Sequence, residues 1–246
     1  DEVRGKKFSA AKPFIVMGVL GIFLLAQPDL GSTVVLFVIT FGMLFIVGAN
    51  FWQFILLIGT GILLFVWLVL SASYRLKRFT GFLEPFKDPY GTGFQLTNSL
   101  MAFGRGEISG EGLGNSIQKL DYLPEAHTDF IMAIIGEEFG FIGILVVVIL
   151  LGLLIFRAMK IGRESLMLEQ RFRGFFALGI SFWIFFQGFV NLGMALGMLP
   201  TKGLTFPLVS YGGSSIIIMS ATVGILLRID HENRLQRGGQ ARLRDD

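Results

Sequence analysis

The chain contains no cysteine, which excludes disulfides, thiolate metal sites and a thiol nucleophile. Histidine is nearly absent as well. Of the two present, His231 falls in a polar tail, which leaves His127 as the one histidine placed for chemistry. No internal repeat, low-complexity tract or cleavable signal sequence is visible. The chain opens instead on Asp-Glu-Val-Arg-Gly-Lys-Lys, which reads as a loop between helices rather than a natural start. Net charge is only +3, so the placement of basic residues matters more than their sum. Apolar residues are what the chain has in excess. They make up 53% of 246 residues, with 26 Phe and a mean hydropathy of +0.68. Soluble domains hold about 45–50% apolar residues even when glycine is counted. Here the excess is gathered into long blocks, and the expected fold class is an all-α polytopic membrane protein.

A helical span needs roughly 20 mostly apolar residues. Six runs qualify, at about 9–27, 31–48, 52–72, 130–156, 174–199 and 212–227. The first is the weakest, because Lys12 and Pro13 shorten its core. Lys12 can snorkel to the interface and proline is tolerated in a first turn. Six spans leave both ends on one side, together with 157–173. Segments 1–12, 157–173 and 228–246 carry 14 of the 21 Lys and Arg, whereas 73–129 carries six and 200–211 carries Lys202 alone. The positive-inside rule places both ends in the cytoplasm and the long loop outside. The organisation is therefore a transmembrane domain over 1–227, including the extracytoplasmic loop 73–129, and a basic cytoplasmic tail over 228–246. The tail contains Gly238-Gly239 and is expected to fray. Its charges read as an orientation signal ahead of a contact with anionic lipid.

The loop mixes charge and apolar character. Tyr74-Arg75-Leu76-Lys77-Arg78-Phe79 suits a helix lying in the interface, and a second helical run is expected at about 94–103. Glycine-rich turns flank it. The run Gly110-Glu111-Gly112-Leu113-Gly114 lacks the preceding strand that a nucleotide fingerprint requires. Arg75, Lys77, Arg78, Arg105 and Lys119 are the loop cations best placed to meet an anion, either a substrate phosphate or a lipid headgroup. Flanking glycines give Arg105 room for a close backbone approach. The 199–211 stretch, broken by glycine and proline, could re-enter the membrane. Irregular backbone at that depth survives only beside protein or water.

Six short motifs occur in order: Gln27-Pro28-Asp29-Leu30-Gly31-Ser32, Asp88-Pro89-Tyr90-Gly91-Thr92-Gly93-Phe94-Gln95, Gly112-Leu113-Gly114-Asn115-Ser116, Leu123-Pro124-Glu125-Ala126-His127-Thr128-Asp129-Phe130, Leu199-Pro200-Thr201-Lys202-Gly203 and Ser210-Tyr211-Gly212-Gly213-Ser214-Ser215. In this order and spacing they resemble the SEDS family (shape, elongation, division, sporulation), from residue 1 to about 235. The Pro-Thr-Lys-Gly segment resembles the cell-division branch rather than the elongation branch. The resemblance implies a peptidoglycan glycosyltransferase that polymerises lipid II on the outer face of the bacterial inner membrane, at the division septum. Family members have about ten spans, of which these look like the last six. It also implies the partners: lipid II, a class B penicillin-binding transpeptidase (FtsI-like) and other membrane proteins of the division machinery, with no nucleic acid.

In the reaction so implied, an acceptor sugar 4-hydroxyl attacks the donor anomeric carbon and undecaprenyl pyrophosphate leaves. Inversion in one displacement needs a base at the acceptor and positive charge at the leaving group, through an oxocarbenium-like transition state. The family motif puts the essential carboxylate on Asp129. With an ordinary pKa of about 3.9 it is ionised at neutral pH and can take the hydroxyl proton. The residues alone allow an equally ordinary role, capping the span that begins near Phe130. Arg75, Lys77, Arg78, Arg105, Lys119, Glu125 and Lys202 are the substrate-binding candidates, with Asp29, His127 and Glu137 in support. Glu125 shares a helix face with Asp129 if Pro124 opens a helix. His127 then points elsewhere and reads as scaffolding. Asp29 reads first as a cap of the second span. No ligand cluster demands a metal, although a divalent cation, Mg or Mn, could bridge pyrophosphate and Asp129.

Two other classes compete. Intramembrane Glu137 and Glu138 superficially suit a lipid II flippase. On one continuous helix, Glu137 would be rotated about 80° from Asp129 and share its cavity, with Glu138 about 180° away. A non-enzymatic scaffold for division proteins would not need Asp129 at all.

Overall fold

Each of the six apolar runs becomes a helix. The computed structural model describes residues 11–27, 30–48, 51–70, 81–200 and 203–245. In chain order, α1 is Ala11–Ala26, α2 Leu30–Val47, α3 Phe51–Leu70, α4 Phe94–Gly106, α5 Ile131–Met167, α6 Arg171–Ala195 and α7 Gly213–Asp245. Among the described residues there is no strand. The fold is all-α, as the sequence implies. Helices α5, α6 and the first 26 residues of α7 are long and apolar enough to cross a membrane, and α1 and α2 contain shorter apolar helices. The 20 residues of α3 extend about 30 Å, one hydrocarbon thickness.

Helices α5, α6 and α7 form the packed centre. Ala158 and Ile161 of α5 meet Ala177, Ile180 and Ile184 of α6 and Met219, Leu226 and Ile229 of α7. Small residues set the approach, since a methyl added to Gly162 or Gly174 would lie 3.0 Å from the other's carbonyl oxygen. Such contacts drive helix association where lipid is as apolar as leucine. The outward face of α5 carries Phe141, Leu145, Ile149 and Leu153, all exposed, as a lipid solvent allows. Helix α2 packs on the other side of α6, and α4 lies across the loop-side ends of α5 and α6.

The helices run past the expected span limits. Helix α5 continues to Met167 through the predicted 157–173 loop, and α7 continues to Asp245 where fraying was expected. The reason is a polar seam. Leu226, Ile229, Asp230 and Asn233 recur at helical spacing on one buried face. Arg157 donates to Asp230 at 2.9 Å, Ser165 hydrogen-bonds Asn233 at 3.0 Å, and Arg173 pairs with Glu232 at 2.7 Å. Both neighbouring helices thus supply partners that a tail in water would lack.

The more consequential departure lies inside α5. Gly140 has φ 65° and ψ −163°, so residues 131–139 and 141–167 are two helical pieces around a break. Only glycine adopts this conformation readily. The freed backbone groups are satisfied by residues 107–112. Phe141 and Ile142 N–H donate to the Glu107 and Ile108 carbonyls, and Glu111 and Gly112 N–H donate to the Glu137 and Glu138 carbonyls, at 2.9–3.2 Å.

Candidate active site

The carboxylate of Glu137, just before the break, is fully buried and accepts four hydrogen bonds. Arg105 Nη1 donates at 2.9 Å and Ser116 Oγ at 2.5 Å, with the Ile117 and Gln118 backbone N–H groups both at 3.2 Å. Lys119 Nζ donates to Glu138 at 2.5 Å. Two cations expected to face an anion therefore meet carboxylates of the chain itself. Both glutamates bond residues of the 105–119 segment, so Glu137 is engaged by the loop instead of sharing an open cavity with Asp129. The rotation estimate assumed a helix running from Asp129, but the helix starts at Ile131. A carboxylate at this depth is tolerable only with charge-assisted partners, and Glu137 and Glu138 hold the 105–119 segment in place by that need. Elsewhere in the loop, a hydrogen bond and charge from Lys87 keep the Glu84 carboxyl below its ordinary range. That pair is exposed and contributes little.

Residues 124–130 form turns, not the helix that Pro124 suggested. Glu125 takes φ 57°, and its carbonyl accepts from Thr128, Asp129 and Phe130 N–H at 3.0–3.2 Å. Its carboxylate accepts from the Thr128 hydroxyl at 2.7 Å. The N-cap position of α5 is Phe130, so Asp129 stands one residue outside the helix.

Three consecutive carbonyls of this turn are each held by a different donor. Tyr211 N–H donates to His127 O at 2.9 Å, Ser210 Oγ to Thr128 O at 2.6 Å, and Asn191 Nδ2 to Asp129 O at 2.8 Å. Ser210 also accepts from Phe206 N–H at 2.7 Å. The His127 ring is exposed and tilts against Tyr211, with centroids 5.6 Å apart. The Asp129 backbone is thus fixed from α6 and from the segment before α7.

That segment, from Gly203 to Gly212, is irregular backbone beside α6. Asn191 also donates to Leu204 O at 2.5 Å, and Gln187 Nε2 to Thr205 O at 2.9 Å. These amides lie four residues apart on one face of an apolar helix and satisfy the carbonyls that lipid could not. A methyl on Gly203 would come within 3.1 Å of Asp129 Oδ2, so this glycine packs directly against the carboxylate. Gly203, Leu204 and Thr205 also line a cavity of about 720 Å³ between α2 and α6, whose walls include Val35, Ile39 and Trp183. Asp129, partly buried, therefore stands next to a residue that lines a largely apolar cavity.

Arg75, Lys77, Arg78, Asp29 and Lys202 lie outside the described residues. Among the described residues no group of three His, Cys, Asp or Glu side chains could hold a metal ion. Sequence reasoning missed Asn191 and Gln187. The available signal was two amides at i and i+4 inside an apolar span, where polar side chains seldom stand without a task. It also missed Ser116 and Gly203 as individual contacts, although both sit in the quoted motifs.

The sequence profile of the FtsW/RodA/SpoVE family, described as a cell cycle protein, matches residues 1–235. The chain belongs to this family. It is 87% identical over 246 residues to the probable peptidoglycan glycosyltransferase FtsW of Haemophilus influenzae, and 83% identical to that of Pasteurella multocida. Each alignment covers all of this chain and 62% of the relative. The similarity extends to the FtsW of Escherichia coli O157:H7 at 58% identity, over 96% of this chain and 57% of that one. The fold is similar to a chain of a peptidoglycan synthase complex that coordinates polymerization and crosslinking, with TM-score 0.75 and 28% identity, over 95% of this chain and 65% of that one. It is also similar to the rod shape determining protein RodA of Thermus thermophilus, with TM-score 0.60 and 27% identity, over 93% and 58%. The chain spans less than two thirds of the length of these relatives. It is an integral membrane chain of the fold that the six motifs pointed to.

Proposed function

We propose that the chain is part of a peptidoglycan glycosyltransferase that polymerises lipid II during septal wall synthesis, at the periplasmic face of the inner membrane, with Asp129 as general base. The observation that carries this reading is the triple anchoring of the His127, Thr128 and Asp129 carbonyls. Rigid backbone is what a positioned base needs, because proton transfer demands hydrogen-bond reach of the hydroxyl it activates.

Asp129 takes the proton of the acceptor 4-hydroxyl as that oxygen bonds to the donor anomeric carbon. The bond from that carbon to pyrophosphate oxygen breaks in the same displacement, and undecaprenyl pyrophosphate departs with the electron pair. No covalent sugar–enzyme species forms. Apolar walls beside Gly203 and Leu204 suit a polyprenyl substrate. Arg75, Lys77, Arg78 and Lys202 are the candidates for pyrophosphate charge, with Arg105 and Lys119 committed first to Glu137 and Glu138. Among the described residues no cluster of His, Cys, Asp or Glu offers a resident cation site. A Mg or Mn ion would arrive as the counter-ion of pyrophosphate. A class B penicillin-binding transpeptidase is the partner this reading implies, in keeping with the synthase complex whose fold the chain shares.

The flippase reading loses its main support, since both intramembrane carboxylates are engaged by the loop. Dye-labelled lipid II in proteoliposomes of the full-length protein separates the two. The enzyme reading expects glycan product without accelerated crossing. Accelerated crossing with no polymer would refute it.

A further inference from the structure

Asn191 is fully buried in a largely apolar helix, and both protons of its amide are used. One goes to the carbonyl of Asp129 and the other to the carbonyl of Leu204, next to the Gly203 that touches the Asp129 carboxylate. An amide nitrogen has two donors and no more. The reverse orientation would set its oxygen against two carbonyl oxygens, so the bonding fixes the amide. Its own Oδ1 is buried without a hydrogen-bond partner. A residue kept only for stability gains nothing from leaving such an atom unsatisfied at this depth.

We infer that Asn191 is a positioning residue of the glycosyl-transfer reaction, a clamp that sets the Asp129 carboxylate against the 203–205 wall of the cavity. The inference rests on Asp129 being the base. Its logic is geometric. Ser210 and Tyr211 hold the turn at Thr128 and His127, and Asn191 bridges the Asp129 backbone to Leu204, the residue next to the glycine that faces its side chain. Without it, the bonds from Ser210 and Tyr211, seven and eight residues further along the segment, still tie the turn to it, but the direct bridge beside Gly203 is lost and the Asp129–Gly203 spacing is set less tightly. A shift of about 1 Å in a reacting group can cost roughly a hundredfold in rate.

The test uses the full-length protein with its cognate transpeptidase and purified lipid II. Asn191→Ala is expected to lower kcat by about 10–100-fold, with KM for lipid II within about threefold. Asn233→Ala is the comparison. Asn233 is equally buried and bonds the Ile161 carbonyl and the Ser165 hydroxyl at the opposite end of the bundle. It should lose similar thermal stability and keep kcat. Rates are normalised to folded protein, and if the Asn191→Ala variant does not fold, Asn191→Ser carries the same comparison. In an Asp129→Asn background, Asn191→Ala should remove no further rate. A wild-type kcat in the Asn191 variant beside an inactive Asp129→Asn overturns the inference and leaves the base assignment standing. A kcat loss in Asn233→Ala as large as that in Asn191→Ala also overturns it. A wild-type rate in Asp129→Asn overturns both readings.

Discussion

Truncating Glu137 should unfasten the outer loop without unfolding the helix bundle. The side chain is fully buried and receives donors from Arg105, Ser116, Ile117 and Gln118. Glu137→Ala removes the acceptor from all four. Breaking a buried charge pair by deleting one partner costs about 3–5 kcal/mol. Arg105 is 37% exposed and can recover water, which favours the lower half of that range. Glu137→Gln is milder. Oε1 takes Arg105 and Ile117 while Oε2 takes Ser116 and Gln118, so one oxygen must become an NH2 group. The Ser116 hydroxyl can rotate to accept, which leaves chiefly the Gln118 N–H orphaned, at about 1–3 kcal/mol. Hydrogen exchange in detergent-solubilised full-length protein reads this locally. At about 1.4 kcal/mol per factor of ten, opening of residues 105–118 should rise by more than about a hundredfold for Ala and by less for Gln. Protection in α6 and the Asn233 seam should hold. Unchanged protection of 105–118 in Glu137→Ala would refute the argument that this carboxylate fastens the loop.

Three further outcomes are expected, two from the geometry and one from the charges of the loop. Gly140→Ala should destabilise the protein by more than the roughly 1–3 kcal/mol of a glycine-only conformation, because its methyl also overlaps the Ile108 carbonyl. Thermal unfolding of the purified protein reads it. Gly203→Ala should lower polymerisation by roughly tenfold with little change in thermal stability, since its methyl crowds Asp129 Oδ2 at 3.1 Å. Arg75→Ala with Arg78→Ala should weaken lipid II binding more than either alone, because charge-assisted bonds to several pyrophosphate oxygens are about twice as strong as neutral ones. Neutral-lipid nanodiscs silence headgroup contacts in that measurement, and unchanged affinity would assign both residues to the membrane surface.

Much of the fold could be read from composition alone, because lipid imposes a length on every apolar run. The number and approximate place of the apolar helices, a loop helix starting at residue 94 and the irregular backbone from Gly203 to Gly212 follow from that constraint, from the loop's mixed character and from glycine and proline. Periodicity could not reveal the break at Gly140. A glycine in an apolar run looks continuous with it, and the interruption is made tolerable by backbone partners some 30 residues away, the carbonyls of residues 107 and 108 and the N–H groups of 111 and 112. Glu137 and Glu138 were conspicuous in the sequence, but their role was assigned on the assumption of one straight helix. Pro124 likewise suggested a helix start, whereas Glu125 reverses the chain in a left-handed turn. The polar seam of α7 was hidden because its partners lie on two other helices. In the site, the motifs marked Asp129 and the Ser210-Tyr211 pair. What fastens them together passes through Asn191, a single polar residue whose task depends on tertiary contacts some 62 and 13 positions away.

The central claim is that the Asp129 carboxylate accepts the proton of the attacking hydroxyl. The most direct measurement is polymerisation of purified lipid II by the full-length protein with its cognate transpeptidase, wild type beside Asp129→Asn. Membrane insertion and transpeptidase binding are monitored in the same preparations. Loss of a general base costs about 10²–10⁴ in rate, so the account predicts that glycan strands disappear while insertion and binding remain normal. Strands made at near wild-type rate by Asp129→Asn would contradict it, and would leave the anchored turn a structural feature without catalytic purpose.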